Sequence, residues 1–192
     1  MKTDIILSGV GGQGILSIAT IIAEAVVREG LYMKQSEVHG MSQRGGDVQS
    51  NLRISDRPIH SDLIPSGQAD LILSLEPMEA LRYLPFLSPS GCVVTSSVPF
   101  VNIPAYPEQE ALKQVYDSLP NKVILDVEEI ARRCASPRSA NMVLLGAATP
   151  FLPLPYERME EGIKAVFGRK GDDIVAKNLE ALAAGKAVAE AR

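Results

Sequence analysis

The sequence predicts an α/β fold: a single Rossmann-like layered domain with a mainly parallel sheet, an antiparallel hairpin and helices on both faces, closed by a C-terminal helical extension. Three observations lead there. A short apolar run, Asp4–Ser8, leads straight into the glycine cluster Gly9-Val10-Gly11-Gly12-Gln13-Gly14 and on into a helix. Strand-like and helix-like segments then alternate through the second half of the chain. Between them, Asp47–Ile54 alternates apolar and polar residues before a turn, as a half-buried hairpin strand does.

The elements follow in order. Asp4–Ser8 reads as a buried strand. Gln13–Arg28 carries Ile15, Ile18, Ala19, Ile22 and Val26 at the spacing of one helix face, and Gly30 suits its C-terminal end. Leu31–Gln35 is a second strand, Ser36–Gly46 a polar glycine-containing loop, and Asp47–Ile54 a third strand. Ser55–Pro58 makes a turn, and Ile59-His60 begins the return strand of the hairpin. Strands at Ala69–Ser74, Gly91–Ser96 and Lys122–Asp126 alternate with helices at Glu76–Leu84, Pro107–Leu119 and Val127–Cys134. Pro99, Pro104 and Pro107 keep Val98–Pro107 extended or looped. Ser139–Ala148 is a buried helix, and the prolines at 150, 153 and 155 separate it from terminal helices at Tyr156–Phe167 and Asp172–Ala191. Residues 1–150 thus form the α/β core of one domain, and 151–192 its C-terminal helices. Phe151, Leu152 and Leu154 either mark a subunit interface or are covered by those helices.

Bulk properties narrow the function classes. A net charge of -4 argues against a general nucleic-acid binder. Cys92 and Cys134 lack C-x-x-C spacing, so no iron–sulfur cluster, structural zinc or disulfide framework is expected on this chain, and no metal site. No apolar run approaches the roughly 20 residues of a membrane helix. Met1–Asp4 leads into the strand without a signal pattern, so a soluble cytoplasmic protein is expected, with no membrane partner.

The glycine cluster carries the chemistry. At a strand-to-helix turn, free backbone N–H groups and the positive end of the helix dipole favour an anion, usually a phosphate. The order Gly-x-Gly-x-x-Gly fits a dinucleotide fingerprint, but the second strand ends in Lys34 and Gln35 where a nicotinamide site holds Asp or Glu. A lysine there suits a sugar phosphate, which points from NAD towards NADP or a phosphorylated nucleotide such as coenzyme A. The loop after that strand adds Arg44 beside Gly45-Gly46, a fork of donors suited to phosphate or carboxylate, and His39 as a candidate ligand or interface residue. Ser42 beside His39 does not make a triad, and no catalytic residue is assigned.

Three stretches taken together resemble one family. They are Gly9-Val10-Gly11-Gly12-Gln13-Gly14-Ile15, the loop Ser36-Glu37-Val38-His39-Gly40-Met41-Ser42-Gln43-Arg44-Gly45-Gly46, and Asn51-Leu52-Arg53-Ile54-Ser55-Asp56. They are similar to the gamma-type subunit or domain of 2-oxoacid:ferredoxin oxidoreductases, and the loop looks most like the beta subunit of the indolepyruvate enzymes. Ser139–Gly146 and the terminal helices also fit. The resemblance implies a heteromeric complex that converts an arylpyruvate, coenzyme A and oxidised ferredoxin into an acyl-CoA, carbon dioxide and reduced ferredoxin. Thiamine diphosphate and iron–sulfur clusters would belong to a large catalytic partner subunit, ferredoxin would meet the complex, and this chain would bind no cofactor tightly by itself. By analogy Gly11, Gly12, Gln13 and Gly14 would meet the phosphate or pantetheine portion of coenzyme A, with Lys34 and Arg44 as electrostatic candidates. His39, Met41 and Gln43 would face the partner or the active-site cleft. The competing readings are a free-standing NADP-binding reductase of Rossmann type and an assembly module whose glycine loop is empty.

Overall fold

The structure is a computed structural model that describes residues 1–39 and 45–191. Among the described residues six strands form one sheet in the order β2-β3-β1-β4-β5-β6. They are β1 (Lys2–Val10), β2 (Tyr32–His39), β3 (Asp47–Ser55), β4 (Ala69–Ser74), β5 (Leu87–Ser96) and β6 (Lys122–Leu125). The pairs β1/β4, β4/β5 and β5/β6 are parallel, whereas β3 runs antiparallel to both β1 and β2. The helices are α1 (Ile15–Arg28), α2 (Pro77–Arg82), α3 (Gln109–Ser118), α4 (Val127–Cys134), α5 (Ala140–Ala148), α6 (Tyr156–Phe167) and α7 (Asp172–Glu190).

Strand alternation divides the core. On β1 and β4 the side chains of Ile5, Leu7, Leu71 and Leu73 join the larger cluster with α1, α5, α6 and α7, while Ile6 and Ile72 join the smaller one with Tyr116 of α3 and Ala80 of α2. Both faces of these central strands are covered, which explains their unbroken apolar runs. The terminal helices share the larger core: Met159, Ile163, Ala181 and Leu182 are buried in it with Ile5 and Ile18. Leu152 and Leu154 are buried there too, and of that stretch only Phe151 stays 37% exposed, so the reading in which the helices cover it is the one realised.

The antiparallel hairpin lies elsewhere than expected. It joins β2 to β3, with Tyr32 opposite Ser55 and His39 opposite Val48, so Ser36–His39 is strand rather than loop. Ile59 and His60 form no return strand, because β3 already has β1 on one edge and β2 on the other. Arg53 holds the segment instead, donating from Nη1 to the carbonyls of Ser61 (3.1 Å) and Leu63 (2.9 Å). The same guanidinium clamps the fully buried Asp4 carboxylate at 2.8 and 3.1 Å, which gives Arg53 of the third quoted stretch a structural duty.

At its end α1 closes in a Schellman turn, with Gly30 N–H donating to Val27 and Leu31 N–H to Val26. Gly146 and Gly185 set the α5–α7 crossing: a Cβ at Gly146 would lie 2.0 Å from the Leu182 carbonyl oxygen, and one at Gly185 1.9 Å from that of Val143. The main chains of these helices touch, with no side chain between them.

Candidate functional site

The glycine turn sits where the chain leaves β1 in one direction and β4 in the other, the crevice in which open α/β sheets bind ligands. Gly11 is locked to the start of the β3 segment: its N–H donates to Gly46 at 2.7 Å and its carbonyl accepts from Gly45 at 3.2 Å. Gln13 spends its side chain inside the turn, where Oε1 accepts the Val10 N–H at 2.7 Å and Nε2 donates to the Leu75 carbonyl at 3.3 Å. That second bond ties the turn to the chain leaving β4. Gly12 and Gly14 adopt φ of +103° and +91°, which L side chains rarely take, and their N–H groups meet no acceptor among the described residues. Gly14 is also the N-cap of α1 and carries no side-chain cap, so the first turn of that helix is open to an anion.

A cleft of about 740 Å³ opens from this turn. Four helices begin on it, contributing Gly14 before α1, Val127 and Glu128 of α4, Ala140 and Asn141 of α5, and Asp173 and Ile174 of α7. Each start carries the positive end of a helix dipole, equivalent to roughly half a charge. Asn141 joins two of them, donating from Nδ2 to the Gly14 carbonyl at 3.2 Å. Arg138, Lys170 and Lys177 also line the cleft. The arrangement brings backbone donors and cations to one cleft, which suits a phosphorylated ligand of nucleotide size.

Across the crevice, Glu76 follows β4 as the N-cap of α2 and is fully buried. Its carboxylate accepts from Glu79 N–H at 2.7 Å, from Phe100 N–H at 3.2 Å and from the Tyr106 hydroxyl. Burial and then the adjacent Glu76 carboxylate push the Tyr106 phenol well above its ordinary pKa, so it stays a donor. This node shapes the segment 97–108, which is neither helix nor strand and exposes Phe100, Val101 and Ile103. Asn102 then joins the segment to the glycine turn through the Gly45 carbonyl at 2.9 Å. Nearby, burial pushes the Glu79 carboxyl up, against the pull of Arg82 at 2.8 Å.

Residues 4–188 match the pyruvate ferredoxin/flavodoxin oxidoreductase family. The chain belongs to that family. As a member it is a component of an oxidoreductase. The indolepyruvate oxidoreductase subunit IorB of Archaeoglobus fulgidus is 36% identical over 194 residues, covering 96% of this chain and 94% of that protein. The gamma subunit of a keto/oxoacid ferredoxin oxidoreductase from Geobacter sulfurreducens shares the fold at a TM-score of 0.70 and 26% identity, over 99% of both chains. A 2-oxoglutarate:ferredoxin oxidoreductase from Magnetococcus marinus, solved with 2-oxoglutarate, coenzyme A and succinyl-CoA bound, shares it at 0.77 and 24% identity. All of this chain aligns there, yet it spans 31% of that longer chain. The gamma-type fold expected from the three quoted stretches is thus the one found.

Within this family member the expected site residues part company. Gly12, Gln13 and Gly14 line the cleft, whereas Gly11 is committed to its pairing with Gly45 and Gly46. Lys34 is not brought to the turn. It sits opposite Arg53, which sits opposite Asp4, six positions before Val10 on β1 and so roughly 20 Å along the sheet. Its ammonium donates to the His60 carbonyl at 3.3 Å. Met41, Gln43 and Arg44 lie outside the described residues, and His39 ends β2. Sequence reasoning missed Asn141, Arg138 and Lys170. Two signals were present: Asn141 is a lone amide in an apolar helix, and Arg138 is a cation at a helix start, where the dipole disfavours it.

Cys92 is buried on β5, and burial pushes the Cys134 thiol of α4 up, so neither has the character of a nucleophile. Among the described residues no group of three or more His, Cys, Asp and Glu side chains is placed to hold a metal ion, and no helix is long and apolar enough to cross a membrane.

Proposed function

We propose that this chain is the small subunit of a 2-oxoacid:ferredoxin oxidoreductase acting on indolepyruvate and related arylpyruvates, and that it holds coenzyme A on the glycine-turn cleft. The reaction takes the 2-oxo acid, coenzyme A and oxidised ferredoxin to an acyl-CoA, carbon dioxide and reduced ferredoxin. Thiamine diphosphate on a large partner subunit supplies the decarboxylation chemistry, and iron–sulfur clusters on the same subunit carry electrons to ferredoxin. The two cysteines here, on β5 and α4, do not make a cluster-binding set, which agrees with that division.

The observation that carries the coenzyme A reading is the cleft itself: an anion-favouring crevice at the strand-order switch, floored by the open N–H groups of Gly12 and Gly14. These groups receive the diphosphate, and the first turn of α1 stabilises its charge. Asn141 fixes the Gly14 peptide from the far side. For Arg44 the reading keeps the electrostatic contribution to coenzyme A, and for His39, Met41 and Gln43 the contact with the partner or the active-site cleft, that the sequence suggests. Lys34 takes no part. The indolepyruvate assignment draws on the IorB relative at 36% identity over nearly its whole length.

Anaerobic co-expression with the proposed large partner subunit tests the reading. The complex should reduce ferredoxin only when indolepyruvate and coenzyme A are both present, with kcat/KM at least tenfold above that for pyruvate. Preference for pyruvate refutes the substrate, and reduction without coenzyme A refutes its role. The free-standing NADP reductase drew on Lys34 at the turn, and that lysine lies beside His60. NADPH fluorescence should therefore not change when the purified chain is added at millimolar ligand.

A further inference from the structure

We propose that Arg138 and Lys170 form a second anion subsite in the cleft, one that takes the 3′-phosphate of coenzyme A and makes this chain select coenzyme A over dephospho-coenzyme A. The proposal rests on the reading that the diphosphate sits on the glycine turn.

Three cations line the cleft, and they are not equivalent. Lys177 is taken by Asp173 at 2.7 Å. Arg138 and Lys170 have no carboxylate partner among the described residues, while the arginines of the neighbouring α4 both reach Glu129. Lys170 is held over the Phe167 ring at 5.1 Å, a contact that orients an ammonium without neutralising it. Arg138 precedes the N-cap residue Ser139 at the start of α5, where a cation opposes the helix dipole, so helix stability does not account for it. Glu128 is the lining carboxylate left without a cation among the described residues, and two unpaired cations and four helix starts outweigh it.

The two kinds of donor differ in what they bind. Backbone N–H groups of a glycine turn suit the diffuse charge of a diphosphate, whereas a planar guanidinium grips a compact phosphomonoester by two parallel bonds. Arg138 is three residues from Asn141, whose amide touches Gly14, so at most about 11 Å of backbone lies between Arg138 and the residue that meets the glycine turn. In coenzyme A the diphosphate and the 3′-phosphate are one ribose apart, a distance that this span accommodates. Removing Arg138 should therefore affect one phosphate and leave the other seated.

The test compares coenzyme A with dephospho-coenzyme A on the intact complex, by KM and by titration calorimetry. Wild type should favour coenzyme A by about tenfold or more, as expected for a lost charge-assisted contact. Arg138→Ala and Lys170→Ala should each weaken coenzyme A several-fold, the pair of changes should erase the preference, and affinity for dephospho-coenzyme A should stay within twofold. Equal weakening of both ligands, or of neither, overturns the subsite. Gly12→Asp, with Gly12→Asn as its control for backbone strain, reports on the underlying reading: it should weaken both ligands alike. A selective failure at Arg138 and Lys170 with Gly12→Asp still effective sinks only the subsite. An ineffective Gly12→Asp sinks the glycine-turn reading and the proposal with it.

Discussion

Replacing Gly146 by alanine pits two effects of opposite sign against each other. In an isolated helix the change stabilises by about 1 kcal/mol, because alanine is the better helix former. In this molecule the new Cβ would stand 2.0 Å from the Leu182 carbonyl oxygen and 3.0 Å from the Lys186 nitrogen. Both are main-chain atoms, so no side chain can rotate away. Contact at van der Waals distance requires α5 and α7 to part by roughly 1 Å or more, which loosens packing around Val143, Leu144 and Leu182, all fully buried. Overpacking of this kind lies at the upper end of its usual range, about 3 kcal/mol, so the net effect is a loss of about 2 kcal/mol. At 2–4 °C per kcal/mol, Tm should fall by about 4–8 °C in thermal unfolding followed by far-UV circular dichroism. Gly168→Ala is the matched control, because its Cβ would meet nothing within 4 Å. A Gly146→Ala protein as stable as wild type, or more so, would refute the main-chain contact between α5 and α7. The same wedge would spread the cleft walls that start at Asn141 and Asp173, so the KM for coenzyme A should rise as Tm falls.

Two other perturbations test the site and its surroundings. Gly14→Ala should cost about 2–3 kcal/mol, from the left-handed backbone and from a Cβ placed 2.6 Å from Asn141 Nδ2; in a double-mutant cycle with Asn141→Ala the combined loss should be smaller than the sum, and strict additivity would argue against the contact. Glu79 has a raised carboxyl pKa from burial, so the folded state holds its proton more tightly than the unfolded chain does. Stability from this group is therefore full below the unfolded value and falls as pH rises through the folded one. The Tm of Glu79→Gln relative to wild type should become more positive between pH 4 and pH 7, and a flat difference would contradict the burial argument.

Most of the fold was legible because local pattern and tertiary demand agree. Apolar runs at Asp4–Ser8 and Ala69–Ser74, the helix face from Ile15 to Val26, and the proline breaks each point to one element, and each was found. The hairpin was misread for a physical reason. Periodicity shows that Asp47–Ile54 has one covered face, yet it cannot show which neighbour pairs with each edge; turn residues after Ile54 suggested the following segment, and β2 from the preceding side took the place. Lys34 failed through the same blindness: strand position fixes distance to the turn only once register is known. The glycine turn was readable because strand, glycines and helix are contiguous. The rest of the cleft comes from residues more than a hundred positions later, Arg138, Asn141 and Lys170, and only the odd placement of two of them hinted at it.

The buried Glu76 carboxylate gathers donors from three places: a helix start, a main-chain N–H and a phenol. Its consequence concerns entropy. A segment without helix or strand would ordinarily fluctuate, and any body that met Phe100, Val101 and Ile103 would have to freeze it first, at about 1–2 kcal/mol for each residue fixed. Here that freedom is surrendered when the chain folds. What approaches this edge of the glycine turn meets a surface already in its final shape, so its encounter can be fast and its affinity is spent on contact rather than on ordering.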